Sequence, residues 1–242
     1  MDSTSNTPKT AKGELQIEEP TRAERAIGRR AAESRATVPE FELATVVDMS
    51  ATAQALRELR ASTGPEAATS VTAVVVRASA LALRAYPRAN GAYRDGHYEL
   101  HGRVNIGVAV TSGEAFVVPT VADADAKSAL EIAAALRALA ASVRAGTITS
   151  AELAGATFTV ANLGGLGVTS FSAPVLPPQA AILAVGAVRE VAMVRGGDIV
   201  PGREMNLTLT CDHRIVFGAY AAEFLARIRE LLERPRELLV DG

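Results

Sequence analysis

Three histidines and one cysteine are the readiest sources of proton-transfer or nucleophilic chemistry in this 242-residue chain. His213 has the most suggestive setting. It follows residues 205–211, where alternation places Met205, Leu207, Leu209 and Cys211 on one face of a strand. If the strand continues, His213 shares that buried face, while Asp212 and Arg214 point the other way. A partly desolvated, neutral imidazole at a strand end suits general-base work. A packed core histidine with hydrogen-bonded ring nitrogens fits the same spacing. Cys211 and His213 stand about 6.6 Å apart along an extended backbone, so a dyad is sterically allowed but not enforced. A lone cysteine on an apolar face reads better as a small buried hydrophobe. His97 and His101 flank tyrosines and read as surface polar residues; with no cysteine or paired carboxylates nearby they make poor metal ligands. Gly164-Gly165-Leu166-Gly167 lacks the lysine and the following helix of a phosphate cradle.

These groups have to be held by an ordinary globular framework. The chain is 48% hydrophobic and 21% charged, with 25 basic and 27 acidic side chains. A net charge of -2 gives no general attraction to nucleic acid or anionic membrane. The apolar stretches are too short to span a bilayer, and a single cysteine excludes a disulfide framework. Residues 1–20 are polar, lack the apolar core of a signal peptide and read as a flexible or surface-hugging arm. A cytoplasmic location is the default expectation.

From residue 21 onward the pattern is that of a single α/β domain. Thr21 with Glu24 forms a capping-box signature opening a helix to residue 35, stopped by Pro39. Residues 41–47 read as a strand, and residues 50–59 as a helix closed by Thr63-Gly64-Pro65. Residues 70–86 are ambiguous because Val74, Val75 and Val76 favour strand; their length points to a buried helix. Residues 91–101 suggest irregular structure or a short hairpin turning at Asp95-Gly96. Residues 104–110 and 115–121 suggest a second hairpin. Helices are expected over residues 128–145 and 149–153, and strands over 157–161, 181–188 and 205–211. The final helix is the clearest: Ala221, Phe224, Leu225, Ile228, Leu231 and Leu232 follow one helical stripe ending before Pro235.

Residues 207–219, L-T-L-T-C-D-H-R-I-V-F-G-A, resemble the D-H-R-x-x-D-G-A signature of the dihydrolipoamide acyltransferases of 2-oxo acid dehydrogenase complexes. Residues 25–41 are similar to that family's opening helix with its Pro-x-Phe ending. Residues 104–118, 121–134, 155–167 and 176–186 resemble its N-I-G-V-A-V and V-V-P, D-A-D-x-K-S-L-x-E-I, G-x-T-F-T-x-S-N-L-G and N-P-P-Q-A-x-I-L-A-V-G blocks. The resemblance runs in order from about residue 22 to the C-terminus. It implies a chloramphenicol acetyltransferase-like fold, a two-layer α/β sandwich of mixed sheet and flanking helices. It also implies trimers, possible higher assembly, and a subunit-interface channel entered from opposite ends by CoA and the acyl acceptor. No covalently bound cofactor is implied; acetyl-CoA or another acyl-CoA is the co-substrate.

In this resemblance His213, beside Asp212, is the base that deprotonates the acceptor. Three positions depart from the pattern. The oxyanion Ser/Thr falls at Ala161, the second acid of the signature at Phe217, and the histidine of the family's P-H-F at Glu40. Thr159, Thr169 or Ser170 could supply the missing hydroxyl, with Asn162 and Arg214 as further substrate-side candidates. The expected lipoyl and subunit-binding domains do not fit in 20 polar residues, so the chain reads as a stand-alone acyltransferase. Its first expected acceptor is the hydroxyl of a small molecule, of the kind acetylated in tetronate antibiotic pathways. The alternatives are a dihydrolipoamide acyltransferase served by lipoyl groups in trans, and a non-catalytic scaffold.

Overall fold

A computed structural model describes residues 9–11, 13–64, 69–112 and 115–239. Within the expected arm, strands β1 (Lys9–Thr10) and β2 (Gly13–Glu14) pair antiparallel, and residues 15–20 are exposed. Helix α1 (Arg22–Thr37) starts at the capping box. The Thr21 hydroxyl accepts from the Glu24 N–H, and the Glu24 carboxylate accepts from the Thr21 N–H. Strand β3 (Glu40–Asp48) and helix α2 (Ser50–Thr63) follow as expected. Residue 65, the proline of the expected breaker, lies outside the described residues. Helix α3 (Val71–Ala85) settles the ambiguous valine run: Val74, Val75 and Val76 are fully buried, so core packing overrides their strand preference.

Strands β4 (Gly91–Arg94) and β5 (His97–Leu100) make the short hairpin, turning through Asp95 and Gly96 at positive φ. The second hairpin is split in two. Its outer part pairs β7 (Val110–Ser112) with β8 (Ala115–Val117), and its inner part pairs β6 (Ile106–Val108) with β9 (Thr120–Val121). Helix α4 (Ala129–Ala145) carries a capping box of its own, Ser128 with Glu131. The short helix expected at residues 149–153 does not form. Thr149 and Glu152 make the reciprocal bonds of a helix start. Gly155, at φ 76°, then turns the chain into β10 (Phe158–Asn162) before a second helical turn can follow.

Strand β11 (Ala181–Val185) is shorter than expected, and β12 (Arg189–Arg195) was not expected at all. Strand β13 (Asp198–Asp212) is twice the predicted length. β12 and the first half of β13 form a ribbon turning at Gly196-Gly197. Because the exposed ribbon lacks a clean apolar–polar alternation, the periodicity that reveals buried strands is absent there. Helices α5 (Gly218–Glu233) and α6 (Arg236–Leu239) close the chain.

The main sheet has seven strands. β10 lies parallel to both β6 and β11, whereas β13 is antiparallel to β11, β12 and β3. Alternation sorts each strand between two faces. Phe158, Val160, Leu183, Leu207, Leu209 and Cys211 join the main core with residues of α3 and α5. Thr159, Ala161, Ile182, Thr210 and Asp212 take the other face. There Ala161 and Ile182 pack with Val38 and Val175, and with Phe171 and Leu176 of the long loop before β11. Helices therefore cover one face of a mixed sheet, the expected two-layer architecture.

That loop is tied to the end of β11. The Ala187 N–H donates to the Val168 carbonyl at 2.8 Å, and a Cβ on Gly186 would sit 2.0 Å from the Thr169 carbonyl oxygen. Gly186→Ala should therefore lower stability by about 1–3 kcal/mol through overpacking. A urea unfolding curve checks this, and an unchanged midpoint would show that the loop is not seated there.

Candidate active site

β13 ends at Asp212 because its backbone is used up. The Asp212 N–H donates to the Ala180 carbonyl, and the Asp212 carbonyl accepts from the N–H groups of Ile215 and Val216. The chain turns instead of extending. The expectation that His213 would share the buried face with Cys211 is thereby overturned. Cys211 is fully buried and Asp212 is 3% exposed, while His213 is exposed at the turn. Its N–H donates to the Pro39 carbonyl at 3.0 Å. Its ring stands between two phenylalanines, 4.8 Å from Phe41 and 5.8 Å from Phe217, both edge-on at 78°. An accessible imidazole held by ring contacts at a strand end is placed to take a proton from a bound thiol or hydroxyl.

Asp212 turns back onto its own turn. One carboxylate oxygen accepts from the Arg214 N–H and Nε at 2.9 Å each, and the other accepts from Nη2 at 2.7 Å. The Arg214 guanidinium lies 4.7 Å over the Tyr93 ring. Asp212 thus braces the turn that carries His213.

Directly opposite Asp212 in the sheet is Glu40. Its side chain is 6% exposed. One oxygen accepts from the Ser34 hydroxyl at 3.1 Å and from the Val175 N–H at 2.7 Å. The other faces the Arg35 guanidinium at 3.1 Å without a well-aligned hydrogen bond. Glu40 therefore ties α1, β3 and the loop before β11 together beside His213.

The remaining candidates lie elsewhere. Ala161 pairs across β11 with Ala184, which faces Thr208, five residues before His213. At about 3.3 Å per residue this puts His213 roughly 17 Å further along the sheet. Thr169 and Ser170 are exposed in the loop beyond the Ala161 end. Thr159 is fully buried and its hydroxyl already donates to the Gln179 side-chain oxygen Oε1 at 2.7 Å. The Asn162 amide donates to the Thr72 hydroxyl and accepts from the Gly164 N–H. Beside Asn162 opens a cleft of about 520 Å³, whose lining includes Arg137, Arg144 and the apolar residues Ala133 and Leu136. One protomer therefore gathers His213, Asp212, Arg214, Glu40 and Phe217 at one end of the sheet, and Ala161, Asn162, Thr169 and Ser170 at the other.

Sequence reasoning missed the aromatic surround, because Phe41, Tyr93 and Phe217 come from three separate segments. His97 is bound locally to the Asp95 carbonyl. Among the described residues no three His, Cys, Asp or Glu side chains gather as a metal site, and no helix is long and apolar enough to cross a membrane.

Burial pushes the Cys211 thiol up to about 12, with the Asp212 charge adding to the effect. The protonated thiol is then the native form throughout neutral pH, which leaves no thiolate for a dyad. Cys211 should resist a thiol-specific reagent at pH 8 in the folded protein and react stoichiometrically in guanidinium. Rapid labelling of the native protein would contradict this.

Comparison with known proteins agrees with this architecture. A dihydrolipoyllysine-residue acetyltransferase component of pyruvate dehydrogenase complex from Rickettsia bellii is 33% identical over 216 residues, covering 88% of this chain and 52% of the relative. The chain thus spans about half the length of that relative. The dihydrolipoamide acetyltransferase of Azotobacter vinelandii superposes with a TM-score of 0.89 at 27% identity, covering 95% of this chain and 96% of the other. That structure belongs to an investigation of the catalytic roles of a serine, a histidine and an asparagine. A structure described as the cubic core of the pyruvate dehydrogenase multienzyme complex matches equally well, with a TM-score of 0.89, 28% identity and the same coverage. A chloramphenicol acetyltransferase shares the fold at 15% identity and a TM-score of 0.53, covering 90% of this chain and 99% of the other. Residues 12–240 match the family described as 2-oxoacid dehydrogenases acyltransferase (catalytic domain), and the chain belongs to that family.

Proposed function

We propose that this protein is a CoA-dependent acyltransferase whose acceptor is the thiol of a dihydrolipoyl group. The single observation that carries this reading is the exposed imidazole of His213, braced at the end of β13 inside the family's own signature. His213 removes the acceptor proton, and the resulting thiolate attacks the thioester carbonyl of acyl-CoA. A tetrahedral adduct forms and collapses, and the departing CoA thiolate takes the proton back from the imidazolium. The relatives are acetyltransferases, which supports acetyl as the acyl group. They also favour the dihydrolipoyl acceptor over the small-molecule hydroxyl that the departures from the signature first suggested, and antibiotic biosynthesis has no support from them.

The three residues studied in the Azotobacter enzyme stand 52 and 4 residues apart, and the same spacing about His213 falls on Ala161 and Phe217. This supports Ala161 as the position of the oxyanion hydroxyl. In one protomer that position is at the far end of the sheet from His213. A complete site then needs two copies of the chain, in line with the trimers that the sequence resemblance implies. The cleft beside Asn162 suits the donor: Arg137 and Arg144 match the phosphates of CoA, and the apolar residues of its lining match the pantetheine chain. Thr169 and Ser170, on the loop at that end, are the candidates for a replacement hydroxyl.

His213→Ala should abolish acetyl transfer from acetyl-CoA to dihydrolipoamide while leaving the oligomer intact by sedimentation. Retained turnover would remove His213 as the base, and a wild-type protein without turnover on any dithiol would favour the scaffold alternative. Restoring the hydroxyl gives a test in the opposite direction. Ala161→Ser should raise kcat by up to about 10²-fold, the low end of what one oxyanion donor is worth. If it gives no gain while the Thr169→Ala, Ser170→Ala double variant loses activity, the loop supplies the hydroxyl instead.

A further inference from the structure

The hairpin of β4 and β5 takes no part in the seven-stranded sheet. Two strands alone are marginally stable in water, so the hairpin depends on what it leans against. Its root is Asn90, which is buried. The Asn90 amide donates to the carbonyls of His101 and Arg103 at 3.0 and 2.9 Å, and its Oδ1 accepts from the Thr157 hydroxyl at 2.6 Å. From that anchor three consecutive residues meet the end of β13 and the chain beside it. A Cβ on Gly91 would lie 3.2 Å from Cδ1 of Ile215, so the backbone there closes on the turn with no side chain between. Ala92 forms an antiparallel bridge with Gln179, next to Ala180, whose carbonyl accepts from the Asp212 N–H. Tyr93 lies under the Arg214 guanidinium at 4.7 Å.

The consequence falls on His213. Its imidazole is held by ring contacts with Phe41 and Phe217, so its place is set by those rings and by the backbone of the turn. That backbone is fixed by Asp212 on one side and Arg214 on the other, joined by their fork of hydrogen bonds. The fork is open to water on one side, since Arg214 is a third exposed, and an arginine side chain has many rotamers to choose from. An aromatic ring beside the guanidinium narrows that choice, because the ring quadrupole attracts the cation, more strongly as water is excluded. Tyr93 is half-buried, which meets that condition in part. A reacting group misplaced by about 1 Å through a change away from the chemistry can lose up to about 10²-fold in rate.

We infer that Tyr93 is a positioning residue for the base. Through Arg214 and Asp212 it fixes the turn that carries His213, and the hairpin rooted at Asn90 is the support that brings it there. Its effect on rate rests on the acyl-transfer reading, whereas its effect on the place of His213 does not. Tyr93→Leu should lower kcat for acetyl transfer about tenfold and leave KM for acetyl-CoA unchanged. Tyr93→Phe keeps the ring and should keep the wild-type kcat. A crystal structure of Tyr93→Leu should show the His213 imidazole displaced by about 1 Å or spread over two positions. Tyr93→Met serves for the same measurements if Tyr93→Leu does not fold. Unchanged kcat with an unmoved imidazole, in a protein that transfers acetyl groups, would overturn the inference and keep the activity. A displaced imidazole in a protein whose wild type acetylates no dithiol would keep the positioning role and overturn the activity. Equal losses of kcat in Tyr93→Leu and Tyr93→Phe, or a change in kcat or in imidazole position without the other, would overturn the inference. Failure of both Tyr93→Leu and Tyr93→Met to fold would do the same, by making Tyr93 a residue of stability.

Discussion

A carboxylate with almost no access to water is tolerated only if its charge is met, and Asp212 is met by the residue two places along its own chain. Arg214 is itself a third exposed, so the pair is half-buried, but losing it would leave a buried carboxylate uncompensated. The geometry follows from that constraint. To reach back to Asp212, Arg214 has to leave the strand, so β13 stops and the chain turns. His213, between the two, is carried out of the sheet toward solvent. Arg214 is then placed on Tyr93, which joins the β4–β5 hairpin to the turn. The ion pair acts together with the Asp212 carbonyl, which accepts from the N–H groups of Ile215 and Val216, to keep β13 from extending.

The sheet divides its labour between its faces. On one side α3 and α5 bury the aliphatic residues of β10, β11 and β13, which gives rigidity but offers no chemistry. The other side keeps polar residues at low exposure, Thr159, Thr210 and Asp212 among them, beneath a loop instead of a helix. Glu40 holds that loop through the Val175 N–H, and Gly186 lets its far end approach the sheet. The departures from the family pattern are therefore partly absorbed by structure. Glu40 has become a three-way tie, and Phe217 has become a wall beside His213.

A single protomer separates the imidazole from the Ala161 end by half the width of a small domain. The constraint lies in sheet register, since no side chain can bridge five residues of extended strand. On the proposed roles of His213 and Ala161, a base and an oxyanion position at opposite ends of one sheet would form a site only where copies of the chain meet.

Much of this protein was legible in the sequence. The capping box at Thr21, the apolar stripe of α5, the alternation of Met205 to Cys211 and the ordered family blocks each depend on neighbours a few residues apart, so a linear reading captures them. The β12–β13 ribbon escaped because its exposed residues carry no burial period, and the turn at residues 149–153 was misread because a cap does not guarantee a helix. The fate of His213 could not be read at all. Periodicity counts it as buried, and only the carbonyls of Ala180 and Pro39, remote in the chain, together with the return of Arg214 to Asp212, end the strand one residue earlier. The same holds for the Phe41 ring against it and the Tyr93 ring under Arg214, which distant segments bring to the turn. The sequence determined which residues could react; which of them meet was decided by hydrogen bonds and packing between segments that only the folded chain makes neighbours.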